Sequence, residues 1–379
     1  MIAPAIDSLS DDNRAREYEA VHHRLFALRA LLTMLAALVF LVSGVSARLA
    51  EGLGDGFGMP WPVANAVYLV TALFGATALL FPLTWYSDFV NEHRFGLSRQ
   101  GFGDWFRDYL KSLVLELFLG TAFFYVLYAV LHWTTAWWWL GATLFYVSFA
   151  VVLTAVAPVL ILPMFHNLEP LDRQDLTKAV KEFIEREGLK VVGVFSWGLS
   201  ETTGAANAAL AGLGRTRRII LSDTMLEGYT HDEILAVLAH EVGHYRNRDL
   251  LRMLALGSAM AGASFYVVQV GASWILRETG MPGLASLTSF PLLALGLMTA
   301  SLVAMPFFNT FSRAREYAAD AYAVRSMGSA APLVLALEKL SRQNLASRSP
   351  SPLVEFLLYS HPSLDRRVRH AKMVEGMIK

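Results

Sequence analysis

Two histidines four residues apart, with a glutamate directly after the first, are the most chemically pointed feature of this 379-residue chain. They lie in Leu238-Ala239-His240-Glu241-Val242-Gly243-His244. On a helix, residues four apart share one face, about one turn from each other. His240 and His244 can then each offer an imidazole nitrogen to one metal ion, the pattern of a zinc-holding helix. Glu241 follows the first ligand and can act as general base toward a water held by that ion. Gly243 leaves room beside the metal. The bland reading is a soluble helix with two solvent-facing histidines. The flanks weigh against it: Glu233 to Ala239 is a good helical run, and Thr230 with Glu233 three residues on makes a capping box.

The chain has no cysteine, so a metal must be held by His, Asp or Glu, and disulfides and thiol catalysis are excluded. One zinc per chain with an open position for water needs a third protein ligand. The best candidate lies in Ser312-Arg313-Ala314-Arg315-Glu316-Tyr317-Ala318-Ala319-Asp320. Glu316 and Asp320 share a helical face, so one carboxylate can bind metal while the other holds the outer nitrogen of a ligating histidine. Glu316 is assigned to the metal and Asp320 to the supporting role. A charge-laced surface helix, with Arg313 and Arg315 beside Glu316, stands as the alternative. Near the end, His361 is placed to stabilise a developing oxyanion or position a carbonyl, and Arg367 to orient substrate or a carboxylate near the metal. From the residues alone, a terminal helix with an incidental histidine fits equally well.

The elements that must bring these residues together are membrane helices. The chain is 55% hydrophobic and only 17% charged, where soluble domains carry about a quarter charged residues. Formal net charge is zero, so nothing favours a nucleic-acid partner. Six apolar segments can each span a bilayer: Leu28–Ala47, about Pro62–Trp85, Leu110–Leu131, Trp137–Leu162, Met253–Ile275 and Leu284–Phe307. The first 27 residues are too polar for a signal peptide, so the first segment reads as a retained anchor. Glycines with Glu51 and Asp55 suggest a loop after it. Glu116, inside the third segment, faces the protein interior or reaches interfacial water. Arg16, Arg24, Arg29, Arg94, Arg99, Arg107 and Lys111 gather on one side, against Arg48 and Arg277 on the other. The positive-inside rule therefore puts both termini, the 163–251 segment and the tail after 307 in the cytoplasm.

Four regions follow: 1–162 with four membrane helices, 163–251 carrying the His-Glu-x-x-His helix, a membrane hairpin at 252–307, and 308–379 carrying the third ligand. Within 163–251, Asp172–Glu187 is amphipathic. Lys190–Trp197, Asn207–Leu210 and Arg218–Leu221 read as strands, with a turn at Gly212–Arg217. Asp223 or Thr224 is placed to cap the next turn. Asn207–Leu210, with Asn207 and Ala208, is assigned to an edge strand that binds substrate backbone.

Several of these pieces, in order, resemble the type I CAAX prenyl protease family of integral-membrane zinc metalloproteases. They are Glu92-His93-Arg94-Phe95-Gly96-Leu97-Ser98, Asn207-Ala208, Arg218–Thr224, His240–His244, Glu316–Asp320 and Ser360-His361-Pro362. The resemblance covers about residues 60 to 370. It implies an α-helical polytopic membrane protein, its helices enclosing a chamber, with a cytoplasmic α+β zinc-protease domain. It also implies zinc on His240, His244 and Glu316, Glu241 as base, Asp320 in support, Asn207 at the substrate, and His361 and Arg367 at the site. The expected function is endoproteolysis near the C-terminus of prenylated CAAX-type or other membrane-associated peptides. The compact loops suggest a bacterial member, and the expectation is a monomer in the inner membrane with its site facing the cytoplasm. Two alternatives are a membrane-protein quality-control protease of broad specificity and a transporter or channel with a vestigial motif.

Overall fold

A computed structural model describes residues 3–212 and 217–379, with side chains from Asp12 onward. Six of its helices are long and apolar enough to cross a membrane, so the chain is a multi-pass integral membrane protein. The first, α1 (Ala3–Val42), begins far upstream of the apolar run, and its polar N-terminal part continues the same helix. It stops at Gly44, whose φ of 73° suits glycine. A short α2 (Val45–Glu51) and a π-helical turn over Gly52–Gly56 take the place of the expected loop.

Next come α3 (Trp61–Trp85), α4 (Glu92–Arg94), α5 (Phe102–Trp133), α6 (Trp138–Val156) and α7 (Leu162–Phe165). Glu116 lies on an exposed flank of α5 and does not face the protein interior. His93 spends both ring nitrogens on the carbonyls of Phe89 and Gln100, at 2.7 and 2.9 Å. The far end of the bundle is cemented by Tyr68, Leu127, Tyr128, Trp138, Phe265 and Leu293, all deeply buried.

The α+β domain contains β1 (Leu168–Pro170), α8 (Gln174–Arg186), β2 (Val194–Trp197), β3 (Ala208–Ala211), β4 (Arg218–Ser222), α9 (Asp223–Gly228) and α10 (His231–Arg246). The four strands lie in the order β1-β2-β4-β3. The central β2–β4 pair is parallel and the outer pairs are antiparallel. β3 is an edge. The fourth strand, β1, carries Pro170 at its end, where a missing N–H is tolerated. Residues 213–216 of the expected turn lie outside the described residues. Ser222 caps α9, its hydroxyl accepting from Met225, while Asp223 instead accepts from the amides of Leu199 and Ser200.

The amphipathic face of α8 (Leu176, Val180, Phe183, Ile184) packs on Ile219 and Leu221 of β4 and on α10. Each such side chain contributes about 1.5–3 kcal/mol of burial.

The chain re-enters the membrane as α11 (Asp249–Thr279) and returns as α12 (Phe290–Met327), one continuous helix that carries the third-ligand candidate out of the bilayer. The tail closes the domain with α13 (Ala331–Gln343), α14 (Pro352–Leu358) and α15 (Leu364–Ile378).

Candidate metal centre and substrate cleft

The capping box is present: Thr230 Oγ1 accepts from the amide of Glu233, whose carboxylate accepts from the amide of Thr230 at 2.8 Å. It starts α10 in the register that puts His240 and His244 on one face. That face meets α12 closely. A Cβ added to Gly243 would lie 2.9 Å from Ala319 Cα and 3.1 Å from its carbonyl oxygen. The room that Gly243 leaves is thus filled by the backbone of α12 and not by the metal, which corrects the sequence expectation. This contact seats Glu316, one turn before Asp320, against both histidines.

The geometry fits a single divalent ion. His240 Nε2 stands 3.1 Å from His244 Nε2 and 3.4 Å from Glu316 Oε2, and His244 Nε2 stands 3.2 Å from Glu316 Oε1. Donors bound at about 2.0–2.2 Å around a tetrahedral ion stand roughly 3.3–3.6 Å apart. The three ligand atoms lie within 4.8 Å of one another. Glu316 Oε2 is buried and makes no hydrogen bond; its cationic neighbour, Arg367 Nη2, stands 3.6 Å away, so the oxygen keeps a lone pair for a metal ion.

Each histidine is held from behind. His240 Nδ1 pairs with Asp320 Oδ1 at 2.9 Å, and Asp320 in turn receives Nε and Nη2 of Arg367 at 2.9 and 2.7 Å. Burial lowers the basicity of His240, but Asp320 and Glu316 outweigh it and hold its pKa at about 9. The same negative field favours a dication. Arg367 is fully charged: burial opposes this, and Asp320 prevails.

His244 is held by a residue the motif does not reveal. Asp249, five positions on, lies across a turn made by Arg248 in the left-handed region (φ 54°) and brings its Oδ2 to 3.0 Å from His244 Nδ1. An acidic residue closely following the second histidine was the available signal.

Glu241, half-buried on α10, accepts no hydrogen bond among the described residues, and its charge acts on Arg367. His361 Nε2 comes within 3.4 Å of Glu316 Oε1, and its Nδ1 lies 2.9 Å from the Ser360 hydroxyl. The surrounding protein lowers its pKa from the ordinary histidine value.

His361 and Arg367 line a cavity of about 970 Å³ together with Asn207 and Trp197. Asn207 precedes β3, and its carbonyl accepts from the amide of Ser222 at 2.9 Å. In an antiparallel ladder neighbouring residues face opposite sides, so Ala208 turns its amide and carbonyl to the free edge. The Ala208 side chain is buried and does not line the cavity.

A second cavity of about 920 Å³ lies between α1, α3 and α12. It is lined almost wholly by carbon, including Ala30, Ala37, Gly75 and Ala294, and Phe26 belongs to both cavities. This apolar space lies among the helices where a chamber is expected, and none of His240, Glu241, His244 and Glu316 lines it. The polar stretch of α1 also lines the first cavity, through Glu19, His22 and His23, a role its sequence did not suggest.

Comparison with known proteins points the same way. The family model "Peptidase family M48" matches residues 170–375, and "CAAX prenyl protease N-terminal, five membrane helices" matches residues 6–167, so the likeness begins well before residue 60. The chain is 30% identical over 367 residues to the uncharacterised metalloprotease YhfN of Bacillus subtilis, covering 96% of this chain and 85% of that one. It is 31% identical over 335 residues to CAAX prenyl protease 1 of Saccharomyces cerevisiae, covering 82% and 73%. Its fold matches the crystal structure of S. mikatae Ste24p with a TM-score of 0.81 at 24% identity, covering 96% and 88% of the two chains.

Proposed function

The chain belongs to peptidase family M48 and is a zinc-dependent membrane metalloendopeptidase of the CAAX protease type. From that premise we propose that it cleaves a peptide bond near the C-terminus of a prenylated CAAX-type peptide, or of another peptide tethered to the membrane by a hydrocarbon. One Zn²⁺ per chain is assigned to His240, His244 and Glu316. When bound, that ion supplies Lewis-acid polarisation of the scissile carbonyl and acidifies water at neutral pH.

The protein's own groups do the rest. The peptide adds as a strand to the free edge of β3, where the main chain of Ala208 fixes its register and Asn207, which lines the cavity, adjoins it. Glu241 takes the proton from the attacking water and returns it to the leaving amine. His361 donates to the oxygen on which charge develops, and Arg367 adds positive charge behind it while locking Asp320. Asp320 and Asp249 hold the two imidazoles in the tautomer that points Nε2 at the metal.

The observation that carries the lipid-bearing substrate is the shared Phe26: the cavity lined by His361 and Arg367 adjoins the apolar space between α1, α3 and α12. The clustering of arginines and lysines on the side of the termini supports a cytoplasm-facing site, and the likeness to a Bacillus protein is in keeping with a bacterial cell membrane.

The test is a farnesylated CAAX peptide beside its unprenylated twin. A KM lower by tenfold or more for the lipidated peptide is expected. Equal kcat/KM for the two favours the broad-specificity, quality-control reading.

A further inference from the structure

The segment Glu92–Ser98 is prominent in the sequence yet holds no metal ligand. In the structure it ties together two walls of the catalytic cavity. Glu92 Oε1 accepts from the Tyr18 hydroxyl at 2.9 Å and lies 3.2 Å from His22 Nε2. Phe95 packs edge-on against Tyr18, its carbonyl accepts from Arg14, and Arg94 pairs with Glu17. The polar arm of α1 is thereby fixed along one side of the cleft.

The same segment grips the loop leading into β3. Leu97 carbonyl accepts from the Gly204 amide at 3.0 Å, and Arg99 donates to the carbonyls of Thr202 and Ser200 at 3.0 and 3.1 Å. The carbonyl of Glu92 receives the Leu97 amide at 2.9 Å, which sets the turn that makes these contacts. On the arm's other flank, Glu19 accepts from the Ser347 amide at 2.9 Å and Asp12 from the Arg348 amide at 3.2 Å. Glu19, His22, His23, Thr203, Asn207 and Ser347 all line the cavity.

We propose that Glu92 is a positioning residue for peptide binding: through Tyr18 and His22 it holds the N-terminal arm of α1 as the wall facing the β3 edge, and the extended substrate runs between the two. Glu19, His22 and His23 then contact the substrate side chains that point away from β3 and determine which are accepted. This rests on the peptide-cleft reading above. Two contacts to a half-buried carboxylate are at stake, and at about 0.5–1.5 kcal/mol each their loss together changes an equilibrium by about tenfold.

The experiment uses the full-length, zinc-loaded chain in detergent and compares wild type with Glu92→Ala and Glu92→Asp. Expected for Glu92→Ala are a KM raised about tenfold with kcat within about threefold, the pattern of lost uniform binding, and one zinc per chain retained. Glu92→Asp should recover part of the KM. Because the chain has no cysteine, Glu17→Cys with Arg94→Cys, bridged by a bis-maleimide, can pin the arm artificially, and pinning should restore KM in the Glu92→Ala background. Amide hydrogen exchange at Gly204 and Ser347 reads arm position without any turnover and should speed up in Glu92→Ala and slow on pinning. Unchanged KM and unchanged exchange in Glu92→Ala overturn the proposal, as does a KM that pinning fails to restore. Absence of cleavage by wild type overturns the peptide-cleft reading instead, and the exchange result still decides the arm.

Discussion

Replacing Gly243 by alanine separates two accounts of the metal centre. If Gly243 faced open space beside the ion, Gly243→Ala would stabilise α10 by about 0.8–1 kcal/mol through helix propensity. The structure predicts the opposite sign. The new Cβ would sit 2.9 Å from Ala319 Cα and 3.1 Å from both Ala319 O and Tyr322 Cβ, roughly 0.5 Å inside an ordinary contact at 3.4 Å. Two of the three atoms are backbone, so no rotamer change relieves the overlap, and α10 must move away from α12. Overpacking of this kind costs about 1–3 kcal/mol. Set against the propensity gain, the net loss is about 0–2 kcal/mol. The larger effect is on the metal. His240 and His244 ride on α10 and Glu316 on α12, so a shift of about 0.5 Å between them reaches the tolerance of a preorganised site. We expect zinc affinity to fall on the order of tenfold. Zinc-buffered titrations followed by metal analysis give the affinity, and thermal unfolding of metal-stripped protein gives the stability. A Gly243→Ala protein with higher apo stability and wild-type zinc affinity would refute the close approach of α10 and α12.

Other consequences follow from the same geometry. Glu241→Gln should lower kcat by about 10²–10⁴-fold while one zinc per chain remains bound, measured by turnover and metal content together. Asp249→Ala and Asp320→Ala should each weaken zinc binding about 10–100-fold, because each frees one imidazole to rotate, and zinc-buffered titration reads the loss. Leu176→Ala should cost about 2–5 kcal/mol of domain stability and leave zinc stoichiometry unchanged, seen in denaturant unfolding with and without metal. Glu233 ties stability to acid pH. Burial raises its pKa, but the 2.7 Å contact with Lys339 and the Thr230 amide prevail and hold it below the ordinary glutamate value. Its contribution is therefore complete above the unfolded-state pKa of about 4.3 and is lost as pH falls through the lowered folded value. Thermal melts between pH 7 and 3 should show a shallower acid-side decline in Glu233→Gln, from a lower starting point at neutral pH.

Much of this site can be read in the letters because its members are periodic. His240 with His244, and Glu316 with Asp320, are each one helical turn apart, and the capping box fixes where α10 begins. The apolar runs give all six spans, although helix ends move: α5 and α12 continue past the apolar stretches because their polar turns stay helical and pack on the domain. Periodicity ends where the chain bends. Asp249 escapes because the left-handed Arg248 separates it from α10, so no helical spacing links it to His244. Gly243 shows that a side of α10 is bare but not that Ala319 fills it, which is a fact of tertiary packing. β1 is three residues long and ends in proline, too short to leave an alternating pattern. The arm of α1 reads as a polar flank because its partners lie 74 positions away in Glu92 and still further away in Ser347.

The central claim is that one zinc ion on His240, His244 and Glu316 is what makes the cleft a peptidase. The direct measurement is a zinc titration of metal-stripped protein with peptide cleavage followed at each addition, run in parallel on Glu316→Ala. Cleavage should rise linearly to a plateau at one zinc per chain, and Glu316→Ala should neither bind zinc at those concentrations nor cleave. Cleavage by the stripped protein, or full zinc loading and turnover in Glu316→Ala, would contradict the account.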